Sequence, residues 1–512
     1  MTNKLARGAL DRSMVRAVAW NAAAKWLTQI LTWLATIIVA RLLTPADYGL
    51  VGMAGLYLTL ATMVSQIGIA DAVIAMTGLT RRQLSELNTV AMLVGIALVG
   101  LSCAVARPLA HFFASPALES VVLVVSIVYV ANGLQVVPRA LMQRELRFKA
   151  LAGIEMARAL AQMVVTLVLA VLGFGYWSLV LGTVASAFLG TGLTLCFRQH
   201  PFAFPRFSQL RKELSFSANV MVSGATWYVY SNSDFLVAGR VLGQVPLGFY
   251  TLAWTISSAP IEKVGNLLLS VTPAFFSAVQ HDKAELRRYL SRLTEMLAYV
   301  TVPLSFGIIV LADVLVPVVL GPKWAGVVGP LRLLGLLTAF RSIAILPGRV
   351  LNVTGDTSFT MWSSIATAAV LPFAFLLGSR WGTNGIATAW ILAYPPLMVP
   401  IFYRTFQRIE MKALEYLASL MPSLGASLAM ACAILAIRAV LGRGHSPLLS
   451  LGVSGITGAL FYGGTLWMFH RERVLGLWRA ILRARRSAPE AVAPPASINL
   501  QGSNPGQMPQ QL

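Results

Sequence analysis

Charged side chains are scarce: only 12% of the 512 residues are Asp, Glu, Lys or Arg, against 57% hydrophobic residues and a mean hydropathy of +0.72. A soluble domain covers its surface with about twice that share of charge, so a water-soluble enzyme or binding module is excluded. Cysteine is nearly missing. Cys103, Cys196 and Cys432 stand far apart and odd in number, which argues against a disulfide framework or a zinc module; they are expected to be small core residues. There is no G-x-x-x-x-G-K-S/T loop, no H-E-x-x-H and no C-x-x-C, and the five histidines (His111, His200, His281, His445, His470) are scattered. Nothing resembles a nucleophile with its base, so the expectation is a chain that is not an enzyme and holds no metal or cofactor. Long polar loops are missing on one side: the longest there, about 107–117 and 316–327, are too short to carry the catalytic groups of a polymerase or ligase.

What the chain has instead is runs of roughly 20 apolar residues, the length that spans a bilayer. Fourteen are expected, near 17–40, 48–70, 88–106, 118–137, 153–172, 176–196, 216–238, 247–275, 293–315, 328–347, 358–378, 383–403, 416–438 and 447–469. The first is too long and too polar for a cleaved signal peptide, being interrupted by Lys25. The net charge of +21 is a topology signal. Seven of the 40 Lys and Arg (Arg41, Arg107, Arg240, Lys323, Arg380, Arg438, Arg443) fall in the segments of one side, five within spans, and the rest on the other side. By the positive-inside bias both termini lie in the cytoplasm.

Two of these runs carry the same polar stripe. In the first it is Asn21, Lys25, Thr28, Thr32 and Thr36; in the seventh, Asn219, Ser223, Thr226, Tyr230 and Asp234. Both advance by 4, 3, 4 and 4 residues, which keeps all members on one helical face. Each stripe is followed by R-x-L-x5-G, Arg41 to Gly49 and Arg240 to Gly248. Pro138 pairs in the same way with Pro347, and Phe174-Gly175-Tyr176 with Trp381-Gly382-Thr383. The spacing predicts an all-α polytopic membrane protein of about fourteen helices. Two six-helix lobes, 1–196 and 216–406, are related by a pseudo-twofold axis along the membrane normal. A cytoplasmic linker, 197–215, joins them; 407–470 adds two spans and 471–512 a basic, then disordered, tail.

Polar groups inside spans point to a wet central cavity. Lys25 lies on the first stripe. Arg332 and Arg341, nine residues apart, are expected at opposite ends of one face of the tenth span. Lys263 follows Glu262 and Pro260 in the eighth, and Glu155 and Arg158 form an i,i+3 pair. Asp234 is the one acid of the seventh-span stripe, a place for a coupling ion or for an ion pair with Arg240 or a cavity lysine. Basic groups outnumber acids, which suits an anionic cargo. The cavity set is therefore Lys25, Asn21, Thr28, Thr32, Lys263, Arg332, Arg341, Asn219 and Tyr230, with Asp234 for ion coupling.

Residues 40–50, Ala-Arg-Leu-Leu-Thr-Pro-Ala-Asp-Tyr-Gly-Leu, with Gln66-Ile67-Gly68-Ile69, resemble the opening of the Wzx-type polysaccharide transporters. These are the lipid-linked oligosaccharide flippases of the multidrug/oligosaccharidyl-lipid/polysaccharide exporter superfamily. The A-R-x-L-x-P-x-x-Y/F-G signature is similar to the colanic-acid, succinoglycan and xanthan exporter branch, and the resemblance covers about 1–470. It implies a MATE-like bacterial inner-membrane protein that moves an undecaprenyl-diphosphate-linked repeat unit outward. That movement serves exopolysaccharide or lipopolysaccharide synthesis, with a polysaccharide polymerase and a chain-length regulator as partners. It also implies cationic cavity residues, matched by Lys25, Lys263, Arg332 and Arg341. Coupling to protons, sodium or the membrane potential is open. Fourteen spans resemble the lipid II flippases too. The rival readings are a drug–cation antiporter of the same fold, a membrane polymerase or ligase, and a scaffold for synthesis enzymes.

Overall fold

The computed structural model describes residues 34–66, 68–76, 78–206, 228, 231–262, 272, 276–277, 279–442 and 445–486, and every regular element among them is helical. The first half contains α1 (Leu34–Leu42), α2 (Pro45–Gln66), α3 (Ile69–Ala75), α4 (Arg81–Phe112), α5 (Ala117–Ser126), α6 (Val128–Arg144), α7 (Phe148–Val171) and α8 (Trp177–Phe197). The second contains α9 (Ser233–Val237), α10 (Gln244–Pro260), α11 (Lys283–Val319), α12 (Val328–Val353), α13 (Thr357–Gly378) and α14 (Gly382–Ile409). α15 (Ala413–Leu441) and α16 (Pro447–Arg486) follow.

Nine helical stretches among the described residues are long and apolar enough to cross a bilayer; α1 and α2 make a tenth across a 114° bend. One of the nine, Ser358–Ile409, is the two helices α13 and α14 packed side by side. The chain is a multi-pass membrane protein. Helices occupy the expected places of spans three to six and nine to fourteen. Parts of spans one, seven and eight, and the tail beyond Arg486, lie outside the described residues. One span is broken where one helix was expected: the second stops at Gln66 and resumes at Ile69, with Gly68 at positive φ between them. The fourth, Ala117–Arg144, runs through α5 and α6 with Ile127 in helical conformation between them.

Helix starts follow the local chemistry. Thr80 caps α4 in a reciprocal box with Gln83, and Asp282 caps α11 by accepting from the amides of Ala284 and Glu285. The signature at 40–50 does the same for α2. The Thr44 amide donates to Asp47 Oδ2 (2.8 Å), the Asp47 amide donates to Thr44 Oγ1 (3.3 Å), and Pro45 takes the first helical position. Asp47 Oδ1 also accepts from the Tyr176 amide (3.1 Å), tying this start to the turn before α8.

The two halves pair their helices alike. α4 packs on α5 and α6, and α7 on α8; correspondingly α11 packs on α12, and α13 on α14. They meet where α2 crosses α10. A Cβ on Gly49 would lie 1.8 Å from the Gln244 carbonyl oxygen, and one on Gly248 would lie 1.9 Å from that of Pro45. Only glycine lets two backbones approach so closely. Gln244 Nε2 also donates to the Ala46 carbonyl (2.8 Å). Around this crossing Arg41 donates to the carbonyls of Val319 (2.7 Å) and Val318 at the C-terminal end of α11, a favourable place for a cation. Lys323 donates to the Arg41 carbonyl (2.6 Å) and Trp324 to that of Ala40 (2.8 Å), while Tyr48 meets the Trp324 ring edge-on. Arg240 sits over the Phe112 ring at the end of α4. Each arginine of the repeated R-x-L turn therefore docks on the opposite half. One buried apolar cluster, including Leu50, Met53, Leu118, Leu247, Trp324 and Trp390, runs through both halves here.

Elsewhere apolar side chains such as Phe373, Val440 and Met468 point outward, as a lipid-facing surface requires. Cys103, Cys196 and Cys432 belong to this surface. The expectation of core cysteines fails because a small apolar side chain facing acyl chains is as well placed as one in the core.

Candidate functional site

At the other end of the molecule from the glycine crossing, the linker after α8 lies along the start of α4. Asn88 Nδ2 donates to the His200 carbonyl (3.1 Å), Thr89 Oγ1 donates to the Ala203 carbonyl (2.7 Å), and the Ala203 amide donates back to Thr89 Oγ1 (3.1 Å). Glu86 is fully buried beneath this strap, paired with Arg82 (3.0 Å). Burial, with Arg198 and Arg81 nearby, holds His200 below its ordinary value.

Between these ends the structure brings together two of the residues singled out from sequence. Asp234, on α9, is fully buried. Its Oδ2 accepts from the Tyr250 hydroxyl of α10 (2.7 Å) and from Trp390 Nε1 of α14 (2.9 Å), while its Oδ1 has no partner among the described residues. Arg341, on α12, lies over the rings of Trp254 (5.0 Å) and Trp390 (5.9 Å). The same indole thus donates to Asp234 through its nitrogen and supports Arg341 with its face. Phe235, Phe375 and Tyr394 complete the aromatic wall.

Arg341 makes no ion pair and no hydrogen bond among the described residues, and it is half-buried. A guanidinium held by its face keeps its N–H edge available, the geometry that grips a phosphate or carboxylate through two parallel bonds. Asp234 offers one oxygen without a partner among the described residues, in a buried aromatic wall. That is far short of the oxygen shell a hard metal cation collects, and the residues described supply no more.

Arg332 is not part of this cage. It donates to the Ile309 carbonyl (3.1 Å) and pairs with Asp313 (3.0 Å), which also holds Arg438 of α15 (2.6 Å). Nine residues are two and a half turns, so Arg332 and Arg341 leave α12 on opposite faces, and the expectation of a shared face is corrected. Asp234 pairs with neither Arg240 nor any lysine among the described residues; its donors are uncharged aromatics. Glu155 takes Arg139 of α6 at 2.6 Å and Arg158 only at 3.7 Å, so the local pair is a shared one. Asn21, Lys25, Thr28, Thr32, Asn219, Tyr230 and Lys263 lie outside the described residues.

Sequence reasoning missed Tyr250, Trp254 and Trp390. Their signal was present: Tyr250–Trp254 and Trp390–Tyr394 are i,i+4 aromatic pairs in helices otherwise rich in small residues.

The fold defines a class. It resembles the solved structure of a lipid II flippase MurJ in an inward closed conformation, with a TM-score of 0.69, 13% identity, and coverage of 89% of this chain and 100% of that one. A multidrug resistance MATE family transporter of the MOP superfamily, inward-facing, is similar at a TM-score of 0.60 and 14% identity, over 75% of this chain and 94% of the other. The chain is an all-α polytopic protein of MATE-like fold. Its sequence matches the model of the polysaccharide biosynthesis protein family over residues 38–329, more than half its length, and it belongs to that family. Among curated relatives it is similar to the lipopolysaccharide biosynthesis protein WzxC of Escherichia coli (strain K12), 24% identical over 394 residues, 75% of this chain and 79% of the relative.

Proposed function

We propose that the chain translocates an undecaprenyl-diphosphate-linked oligosaccharide repeat unit across the bacterial inner membrane, for exopolysaccharide or lipopolysaccharide synthesis. The reading joins a transporter fold to membership of a polysaccharide biosynthesis family. The observation that carries it is Arg341, a guanidinium mounted on two indoles inside a membrane protein, near the Asp234 carboxylate but in no ion pair among the described residues. A charge held there with no ion pair among the described residues favours an anionic visitor on its open N–H edge, and the diphosphate supplies one. The arrangement suits lipophilic cations poorly, which disfavours the drug–cation antiporter.

In this reading the glycine crossing and the Arg41–Val319 contacts are the closed outer gate, and the linker end faces the cytoplasm, as the charge bias requires. The cargo enters between the halves from the cytoplasm, its diphosphate meets Arg341, and its polyprenyl tail stays in lipid. Parting α2 from α10 then opens the opposite side. Moving negative charge outward across an inside-negative membrane is favoured by roughly 2.3 kcal/mol per charge per 100 mV, so the potential alone can bias export. Coupling through Asp234 by a proton is a supplement rather than a requirement. The protein acts as a carrier with no catalytic group, and passes its cargo to a polymerase and a chain-length regulator.

The test is complementation of a deletion strain with Arg341→Ala, measured as polymer exported per cell at matched protein level in the membrane. Export should fall at least tenfold while lipid-linked repeat units accumulate inside. Wild-type export from the variant removes Arg341 from the mechanism.

A further inference from the structure

Away from the cage, α6 carries a polar stripe of its own. Asn132, Gln135, Arg139 and Gln143 advance by 3, 4 and 4 residues and so share one helical face. Asn132 and Gln135 are each 2% exposed, whereas Arg139 and Gln143 are half-buried, so the stripe runs from the interior to the linker end. There α3 packs beside α6, and the two enclose a cavity of about 210 Å³ whose polar lining is Asp71, Gln135, Arg139 and Gln143.

The cavity's hydrogen-bonding capacity is largely unspent. Gln135 Nε2 donates to Asn132 Oδ1 (2.9 Å), but the Gln135 carbonyl oxygen is buried with no donor among the described residues. An amide oxygen left so in a membrane protein is costly unless something visits it. Asp71 has no ion pair or hydrogen bond among the described residues. Arg139 is oriented by Glu155 (2.6 Å), which leaves further N–H groups of its fork free. The site thus presents acceptors (Asp71, Gln135) beside donors (Arg139, Gln143), and its cation, Arg139, is balanced by Asp71 and by Glu155, which Arg139 shares with Arg158.

A diphosphate would gain little from that balance, since Asp71 and Glu155 offset the attraction of Arg139 and its neighbour Arg158. Hydroxyl groups match it, because each donates to one neighbour and accepts from another. We infer that this cavity is a glycosyl subsite on the cytoplasmic side of the first half, which reads a sugar of the cargo while Arg341 holds its phosphates. The inference rests on the transport reading. It divides recognition of the cargo: the second half takes the part common to all polyprenyl-diphosphate carriers, and the first half takes the part that differs between glycans.

The experiment uses the full-length protein in lipid nanodiscs and two probes. One is the pool of lipid-linked oligosaccharide extracted from the cells that make the protein; the other is undecaprenyl diphosphate without sugar. Binding of each is measured by native mass spectrometry to wild type, Gln135→Leu, and Asp71→Asn, a near-isosteric change at a half-buried site that keeps the fold. The wild type should prefer the glycan-bearing lipid, and each variant should lose roughly tenfold for that lipid while holding undecaprenyl diphosphate unchanged. A wild-type preference that both variants retain would overturn the subsite, leaving a cavity filled by water and the transport reading intact. Equal loss for both probes would overturn it as well, since the cavity would then not read sugar. A wild type that binds neither lipid would sink the transport reading itself, and the subsite with it.

Discussion

A single indole joins the two informative residues of the second half. Trp390 donates to Asp234 and underlies Arg341, so the carboxylate and the guanidinium share a support without touching as an ion pair. Trp390→Phe removes the N–H and leaves a buried carboxylate with Tyr250 as its remaining side-chain donor, at a cost of about 1–3 kcal/mol. The expected result is a lower melting temperature for the purified variant and reduced export; an unchanged melting temperature would mean that water replaces the donor. Asp234 and Arg341 were legible in the sequence because a charge inside an apolar run stands out. The aromatic wall was not, because tryptophan and tyrosine in a membrane helix fit a lipid interface equally well. Arg332 was misread through its phase on the helix: only two and a half turns separate it from Arg341, and the opposite face of α12 belongs to α11 and α15.

The helices show what the repeated R-x-L-x5-G turn is for. Arg41 reaches the end of α11, Arg240 the end of α4, and the two glycines let α2 and α10 touch backbone to backbone. Gly49→Leu or Gly248→Leu cannot fit that crossing and should hold the gate apart. A cysteine placed near it should then react with an impermeant maleimide added from outside at least tenfold faster than in the parent; equal rates would place the gate elsewhere. The motif's existence was plain from its recurrence about 199 residues on, but its partners were not, because contacts between halves leave no local periodicity. The linker was equally opaque: nothing in the spacing of Ser85, Asn88 and Thr89 marks them as partners of 198–206, and only the folded chain shows the contact.

That strap carries a pH dependence. The folded value of His200 lies below the ordinary 6.5, so its neutral form favours docking. The stabilisation is fully present above about pH 6.5 and declines as the pH falls through and below that value. Hydrogen exchange at the Ala203 amide, corrected for intrinsic chemistry, should be slower at pH 7.5 than at pH 5.5. His200→Gln should flatten the difference, and a profile unaltered by that change would assign the titration to another group.

On the scale of the whole molecule, composition and charge placement sufficed for an all-α polytopic chain, since the bilayer admits few other solutions. The break at Gly68 escaped notice because an apolar run does not announce an interruption. What the fold adds is asymmetry within a repeated plan. The second half presents a cation on an aromatic wall, in no ion pair among the described residues, and the first presents a polar stripe on α6 with a balanced charge. Two halves so different in chemistry yet so alike in helix pairing fit a carrier that grips two unlike parts of one amphiphile.

The most direct test places the purified chain in liposomes containing extracted lipid-linked oligosaccharide and follows loss of glycan from the outer leaflet's reach to an impermeant glycosidase. Wild-type protein should equilibrate the glycan between leaflets within minutes, faster with an imposed potential of the right sign, and Arg341→Ala vesicles should behave like empty ones. If wild-type vesicles protect the same fraction as protein-free vesicles throughout, the chain does not carry this cargo.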